Sequence, residues 1–213
     1  MHVVITGANR GIGLALADHY RAQGDTVTAT SRDGQTGARL DVTDPAQHIA
    51  LGQSLAGQAV DLLICNAGVY LDKGQDMDGY APQIWADSFA ANVTGVFLTV
   101  QALLPQIKAS GAGRIAIISS QMASHERAPG GSYVYRASKA AALNLGRNLA
   151  ADLRAQGIAV GIYHPGWVRT DMGGDTAAIS TAQSRDGLVD RFEALSMATT
   201  GCFETYDGQP HPY

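Results

Sequence analysis

Tyr135 and Lys139 stand four residues apart in Tyr135-Arg136-Ala137-Ser138-Lys139, so on a helix they share a face. A phenol titrates at about 10, too high for efficient proton transfer at neutral pH, and a neighbouring ammonium favours the phenolate. A tyrosine placed this way is suited to hand a proton to a carbonyl oxygen undergoing reduction. Tyr133 is the rival, but its partner four residues on is Ala137, which carries no charge. The bland alternative is a tyrosine and a lysine on a solvated face. A second chemistry-bearing segment opens the chain. Thr6-Gly7-Ala8-Asn9-Arg10-Gly11-Ile12-Gly13 follows an apolar run and begins a helical stretch, which aims backbone N–H groups and the positive end of a helix dipole at one place. Such a place suits a phosphate. The glycines allow a sharp turn and close approach to a pyrophosphate, and Gly13 allows the helix to pack on the strand.

The elements that must position these groups follow from an alternation of short apolar runs with longer helical stretches, the pattern of a parallel sheet covered on both faces. Strands are expected near 2–6, 26–30, 38–42, 60–65, 114–119, 158–163 and 201–205, and helices near 11–23, 45–56, 83–109, 133–156 and 178–196. Thr43-Asp44-Pro45 offers an N-cap with proline in the first turn, and Gly24 and Gly157 stand where C-caps belong. The expected fold is α/β: a single Rossmann-type, doubly wound parallel sheet of about seven strands, one domain over residues 1–213. One crossover is short. Asp33 to Ala38 is too brief for a helix between strands two and three, so a turn replaces it or the third strand is shortened and displaced, at a sheet edge where that loss is tolerable.

The spacing of the glycine turn resembles that of the short-chain dehydrogenases/reductases (SDR family), and further pieces match in order: Asp41-Val42, Cys65-Asn66-Ala67-Gly68, Asn92, Ile118-Ser119-Ser120, Tyr135 to Lys139, and Pro165-Gly166. Cys65 stands where the family has asparagine; on an apolar strand it reads as a small buried hydrophobe. The segments GGSYVYRASKAAALN, HPGWVRTDMGG and YDGQPHPY resemble the C-factor-like and Sniffer-like carbonyl reductase branch. The resemblance implies Asn92, Ser120, Tyr135 and Lys139 as the catalytic set, with Ser120 holding the substrate oxygen, Asn92 supporting a water relay through Lys139, Lys139 also binding the nicotinamide ribose, and Tyr135 counted with Lys139 among the cofactor-binding residues. Ser119 is the fallback for Ser120. It places Thr6, Gly7, Asn9, Arg10, Gly11, Ile12 and Gly13 around a dinucleotide, with Asp41 and Val42 at the adenine. Asn66, Ala67 and Gly68 follow under the ribose, then Pro165 and Gly166, with Val168 and Thr170 at the carboxamide. Asp41 has a second reading as a turn residue with Thr43. Met122, His125, Trp167 and Met172 fall where substrate walls are expected, and packing explains each equally well; His164 reads as structural.

Ser31 and Arg32, where a ribose-binding acid would stand, together with Arg10, favour NADPH over NADH, since arginine suits bidentate phosphate contacts. The expected function is NADPH-dependent reduction of a ketone or aldehyde, or the reverse oxidation. The alternative is a dinucleotide-binding signalling or regulatory protein of C-factor type. Fifteen basic against 19 acidic residues, a net charge of −4, argue against nucleic acid or an anionic membrane as partner, leaving a small carbonyl or alcohol substrate. Two cysteines and no metal-ligand spacing fit a reducing cytoplasm and no metal. No leader and no apolar run of membrane-spanning length is read. Helices 83–109 and 133–156 are apolar on more than one face; packing within the chain accounts for this, or, as the family implies, a homodimer or homotetramer interface.

Overall fold

The computed structural model describes residues 1–213. Seven parallel strands form one sheet in the order β3-β2-β1-β4-β5-β6-β7: β1 His2–Ile5, β2 Thr26–Ser31, β3 Ala38–Arg39, β4 Leu62–Cys65, β5 Arg114–Ile118, β6 Ala159–His164 and β7 Phe203–Thr205. Helices α1 Gly11–Ala22, α2 Pro45–Ser54, α3 Pro82–Phe89, α4 Gly95–Ala109, α5 Tyr133–Leu153 and α6 Thr181–Ala194 cover it. The strands run apolar without interruption because both faces are buried. Register aligns Val4, Leu63, Ile115 and Val160 in one row across four strands. That row packs with Val96, Val100, Leu103 and Ile107 of α4 and Leu149 and Leu153 of α5. Their alternates Val3, Ile5, Leu62 and Ile64 meet Leu16, Ala17 and Tyr20 of α1 and Leu188 and Phe192 of α6. The adjoining row Ile5, Ile64, Ala116, Gly161 shrinks to glycine, where a Cβ would fall 2.2 Å from the Tyr163 hydroxyl.

Helix boundaries follow local chemistry. Asp44 caps α2, its carboxylate accepting from Ala46 N at 2.9 Å with Pro45 behind it. Gly24 (φ 83°) and Gly157 (φ 72°) take the left-handed conformation just past their helices. Ser180 and Gln183 form a reciprocal capping box on α6.

Three expectations need correction. The third strand, expected over 38–42, pairs only at Ala38 and Arg39 on the sheet edge, and a turn replaces the crossover helix: Asp33 accepts from the Ser31 hydroxyl at 2.7 Å and Gln35 N at 3.0 Å. The stretch 83–109 is not one α-helix. A π-helical turn over Ala90–Thr94 separates α3 from α4. Together Pro82–Ala109 is also long and apolar enough, by length and composition, to cross a membrane, contrary to the sequence reading. One face of it packs on the sheet, with Leu103 and Ile107 fully buried there, while Trp85 and Phe97 are exposed.

Candidate active site

The glycine turn sits at the C-terminal end of β1, beside the loop that leaves β4. The Thr6 hydroxyl accepts from Asn66 N (3.1 Å) and Ala67 N (3.0 Å), and the Asn66 amide donates to the carbonyls of Thr6 and Gly7 at 3.0 Å each. A Cβ on Gly7 would lie 3.0 Å from Ala67 Cα, so the two segments touch backbone to backbone. Gly7 (φ 66°) and Gly11 (φ 56°) adopt the left-handed region that lets the chain fold over the strand end. The first N–H groups of α1 have no side-chain cap and no acidic residue in the first turn, which leaves them free for an anion. Thr170 closes on the turn from the far side, 3.4 Å from the position of a Cβ on Gly11. Ala8 N donates to Thr30 O at 2.8 Å, bringing in the end of β2, where Asn9, Arg32 and Asp33 line a hollow of about 350 Å³. Ser31 is buried there. Exposed Arg10 pairs with exposed Asp171, so it is not free. Ile12 packs half-buried on the core. The backbone N and hydroxyl of Thr43 donate to the Asp41 carboxylate at 3.0 and 2.7 Å, lowering its pKa, so the turn with Thr43 exists whatever else Asp41 binds. Val42 packs beside it, its carbonyl 2.7 Å from where a Cβ on Gly95 would sit.

Asn92, Ser120, Tyr135 and Lys139 come together where β4, β5 and α5 meet. Asn92 lies in the π-helical turn, accepting from Val69 N at 2.8 Å and donating to Val69 O and Ser138 Oγ at 2.9 Å each. A Cβ on Gly68 would fall 3.0 Å from Asn92 Oδ1 and 3.4 Å from Lys139 Nζ, so a side chain there would crowd Asn92 and touch Lys139. Ser119 donates its hydroxyl to Lys139 O at 3.0 Å, which commits it to structure. Ser120 instead accepts from Met122 N at 3.1 Å and interacts with the Tyr135 phenol, lowering its pKa. Of the two serines, Ser120 faces the cleft.

The electrostatics differ from the sequence reading. Lys139 Nζ lies 5.7 Å from the Tyr135 ring centre and donates to Ile118 O at 3.0 Å. Burial brings its pKa down to about 8, while burial pushes the Tyr135 phenol up to about 12. Desolvation sets the direction for both groups, outweighing the Ser120 hydrogen bond at Tyr135, and the phenol holds its proton at neutral pH. Cys65 is buried, its thiol likewise raised to about 12, and is inert.

Residues 1–179 match the model of the family described as short chain dehydrogenase. The chain belongs to the short-chain dehydrogenase family. The C-signal protein of Myxococcus xanthus is 37% identical over 158 residues, 72% of this dehydrogenase and 93% of that protein. Among solved structures, NADPH-bound carbonyl reductase from chicken fatty liver superposes with a TM-score of 0.90 at 30% identity, over 100% of this chain and 98% of the other. Carbonyl reductase Sniffer of D. melanogaster does so with 0.90 at 26%, over 100% and 99%. The family is one of oxidoreductases, and the seven-stranded sheet is its Rossmann-type fold.

The remaining candidates of this dehydrogenase lie on the loops after β5 and β6. Pro165 and Gly166 (φ 89°) turn the chain out of β6, with Ser184 donating to Pro165 O at 2.6 Å, and buried Val168 bridges Ile179. Exposed Trp167 and Met172 share the outgoing loop; the Trp167 indole donates to Gly173 O, and Lys73 donates to Met172 O at 3.2 Å. Met122 is half-buried behind Ser120. His125 is exposed, and its backbone N donates to Tyr213 O at 3.0 Å, so the C-terminal segment is tied to this loop; Tyr213 stacks under Arg147 at 3.9 Å. His164 is buried and held neutral, its pKa brought down to about 4 by burial and by His211 and Arg127. Two residues went unread in the sequence. Tyr70 stacks on Tyr135, and Asp72, fully buried, accepts from the first N–H groups of α5. Their only sequence signal is position, two and four residues past Gly68.

Proposed function

We propose that the chain is an NADPH-dependent carbonyl reductase in which Tyr135 protonates the carbonyl oxygen. The observation that carries this reading is the gathering of Tyr135 beside Ser120 with Lys139 and Asn92 at Gly68, on the loop whose Asn66 and Ala67 hold the uncapped, phosphate-suited turn. When bound, NADPH supplies a hydride to the carbonyl carbon. Ser120 holds the substrate oxygen, stabilising charge that develops there. Tyr135 gives that oxygen its proton, and Lys139, Asn92 and solvent restore it. The uncapped start of α1 with Gly7 to Gly13 suits the pyrophosphate, Thr6 with Asn66 to Gly68 the ribose, Asp41 and Val42 the adenine, and Val168 and Thr170 the carboxamide. Incubation of the purified protein with NADPH and a panel of aldehydes, diketones and quinones tests the reading; no turnover above a Tyr135→Phe control sinks it.

For the 2′-phosphate the supporting group is Arg32, exposed beside a hollow of the right place and polarity. Arg32→Asp is expected to weaken NADPH about 10- to 100-fold, the scale of a charge-assisted hydrogen bond, with little change for NADH. Equal losses for both cofactors would remove Arg32 from the phosphate site. Arg10 must be won from Asp171. Asp171→Asn should therefore tighten NADPH a few-fold and leave NADH unchanged, as measured by titration, the scale expected of an exposed pair.

The pH dependence follows from Lys139. Its ammonium, depressed by burial, is fully present below about 8 and lost as pH rises through that value. Because kcat/KM reports the free enzyme, its value for carbonyl reduction should fall above about pH 8. Lys139→Arg, which keeps its charge, should show a lower but pH-independent rate through the same range. An unchanged inflection in that variant assigns the titration elsewhere.

A second reading has its own support in the likeness to C-signal. A signalling role predicts that Tyr135→Phe, still binding NADPH, keeps full biological activity. For assembly, Trp85 of α3 and Phe97 of α4 expose their rings, consistent with a dimer through α4 and α5; light scattering reads the state directly.

A further inference from the structure

We infer that Tyr70 and Asp72, on the loop leaving β4, are positioning residues for Tyr135, holding its ring and its backbone through the first turn of α5. The inference rests on the reading of Tyr135 as proton donor. The Tyr70 ring lies 4.1 Å from the Tyr135 ring with an 18° angle between planes, an offset stack that fixes the ring plane. The Asp72 carboxylate accepts from Val134 N at 2.9 Å and from Tyr135 N at 3.2 and 3.3 Å. One loop therefore grips both ends of the same residue.

A fully buried carboxylate is costly unless its oxygens are satisfied. Here the satisfaction comes from the free N–H groups and the positive dipole end of α5. A serine already stands at the N-cap, but Ser132 cannot fill that role. Its backbone is left-handed (φ 48°, ψ 41°), the one non-glycine residue in the chain with positive φ, and its side chain makes no cap bond. Its hydroxyl instead bonds the Tyr70 hydroxyl at 2.5 Å. Strain of this kind persists only where the surroundings over-determine it, and it collects at functional sites. The loop is itself anchored, since Asn92 holds both backbone groups of Val69 and reaches Ser138 on α5. Around the Tyr135 side chain stand Ser120 from the end of β5, Lys139 from α5 and Tyr70 from this loop, while Asp72 sits at its backbone end; Tyr70 and Asp72 both act to raise the phenol's pKa.

The test compares Tyr70→Leu, Ser132→Gly, Ser132→Asn and Asp72→Asn with wild type in kcat, KM for NADPH and melting temperature. A ¹³Cζ-tyrosine NMR titration, with Tyr135 assigned through Tyr135→Phe, follows the phenol directly. Tyr70→Leu and Ser132→Gly are expected to lower kcat about tenfold or more, as a small misplacement does, with KM for NADPH unchanged. Ser132→Gly removes the positive-φ strain along with the hydroxyl, so its melting temperature should hold or rise while kcat falls. A merely structural role does not give that split. Ser132→Asn, which tolerates the left-handed backbone and offers a polar group, should recover part of the rate. Asp72→Asn should move the Tyr135 titration to lower pH; if that variant does not fold, Tyr70→Leu and Ser132→Gly decide. Unmoved kcat and an unmoved Tyr135 resonance in these variants, in a protein that turns over, overturn the inference. Absence of turnover in wild type sinks the reductase reading instead, and the resonance alone then decides positioning.

Discussion

Tyr135→Phe is expected to lower carbonyl reduction by about 10²- to 10⁴-fold while leaving the fold and NADPH affinity in place, the scale of a lost general acid. The substitution deletes one hydroxyl and keeps the ring stacked on Tyr70 and buried against the cleft wall. Its cost in stability is that of one hydroxyl interaction with Ser120, about 0.5–1.5 kcal/mol. Lys139, Asn92 and the glycine turn are untouched, so the cofactor site loses at most the one contact of the Tyr135 hydroxyl. Because burial has already pushed the phenol up to about 12, wild type carries the transferable proton throughout the neutral range, and no pH adjustment compensates for its removal. Steady-state NADPH consumption with a reactive diketone, paired with a cofactor titration, reads both quantities. A variant within about threefold of wild type would falsify the assignment of Tyr135 as donor.

The Tyr135–Lys139 pair was visible in the sequence because the two share a helix face four residues apart; its electrostatics were not. Spacing alone suggested a cation stabilising phenolate, but the sign depends on burial. Lys139 and Tyr135 are both nearly sealed from solvent, so each is pushed toward its neutral form. The sheet was legible for a related reason. Runs such as Val3-Val4-Ile5 and Leu62-Leu63-Ile64 have one structural use, while β3, held by only the Thr30–Ala38 and Ser31–Arg39 pairings, had no apolar run to announce its length. The π-helical turn at Asn92 adds a residue to a helix without changing its composition, so periodicity read straight through it. Asp72 was unreadable in a stronger sense. A lone acid in a loop looks solvated, and only the arrival of α5, 62 residues later in the chain, buries it. The same holds for Arg10 and Asp171, joined across 161 residues. Local chemistry fixed each element, and what escaped was contact between elements distant in sequence.

The cofactor site depends most sharply on a glycine whose backbone is unremarkable. Gly13→Ala is expected to destabilise the protein and to cost most of its NADPH affinity, although intrinsic helix propensity alone favours alanine in α1 by about 1 kcal/mol. Sterics decide against propensity. A Cβ at Gly13 would sit 2.3 Å from the Gly7 carbonyl oxygen, 2.5 Å from the Asn66 amide nitrogen and 3.1 Å from Ala8 Cα. Two of these three neighbours are backbone atoms of the phosphate turn, which cannot rotate away as a flexible side chain would. Relief requires lifting the turn from α1 or breaking the Asn66 bonds to the Thr6 and Gly7 carbonyls, and either disturbs the N–H groups offered to the pyrophosphate. Overpacking of this kind costs about 1–3 kcal/mol, and a chain of this length loses roughly 2–4 °C in Tm per kcal/mol. Gly24→Ala is the control: nothing lies within 4 Å of its Cβ, so only its positive φ opposes the change, far from the turn. Thermal unfolding with and without NADPH separates the two effects, since a ligand that binds only the native state raises Tm by an amount that grows with the logarithm of its concentration over Kd. Wild type and Gly24→Ala should gain similar increments from NADPH, and Gly13→Ala little or none. A Gly13→Ala protein as stable as wild type, with the same NADPH-induced rise, would mean that the turn yields where its packing says it cannot.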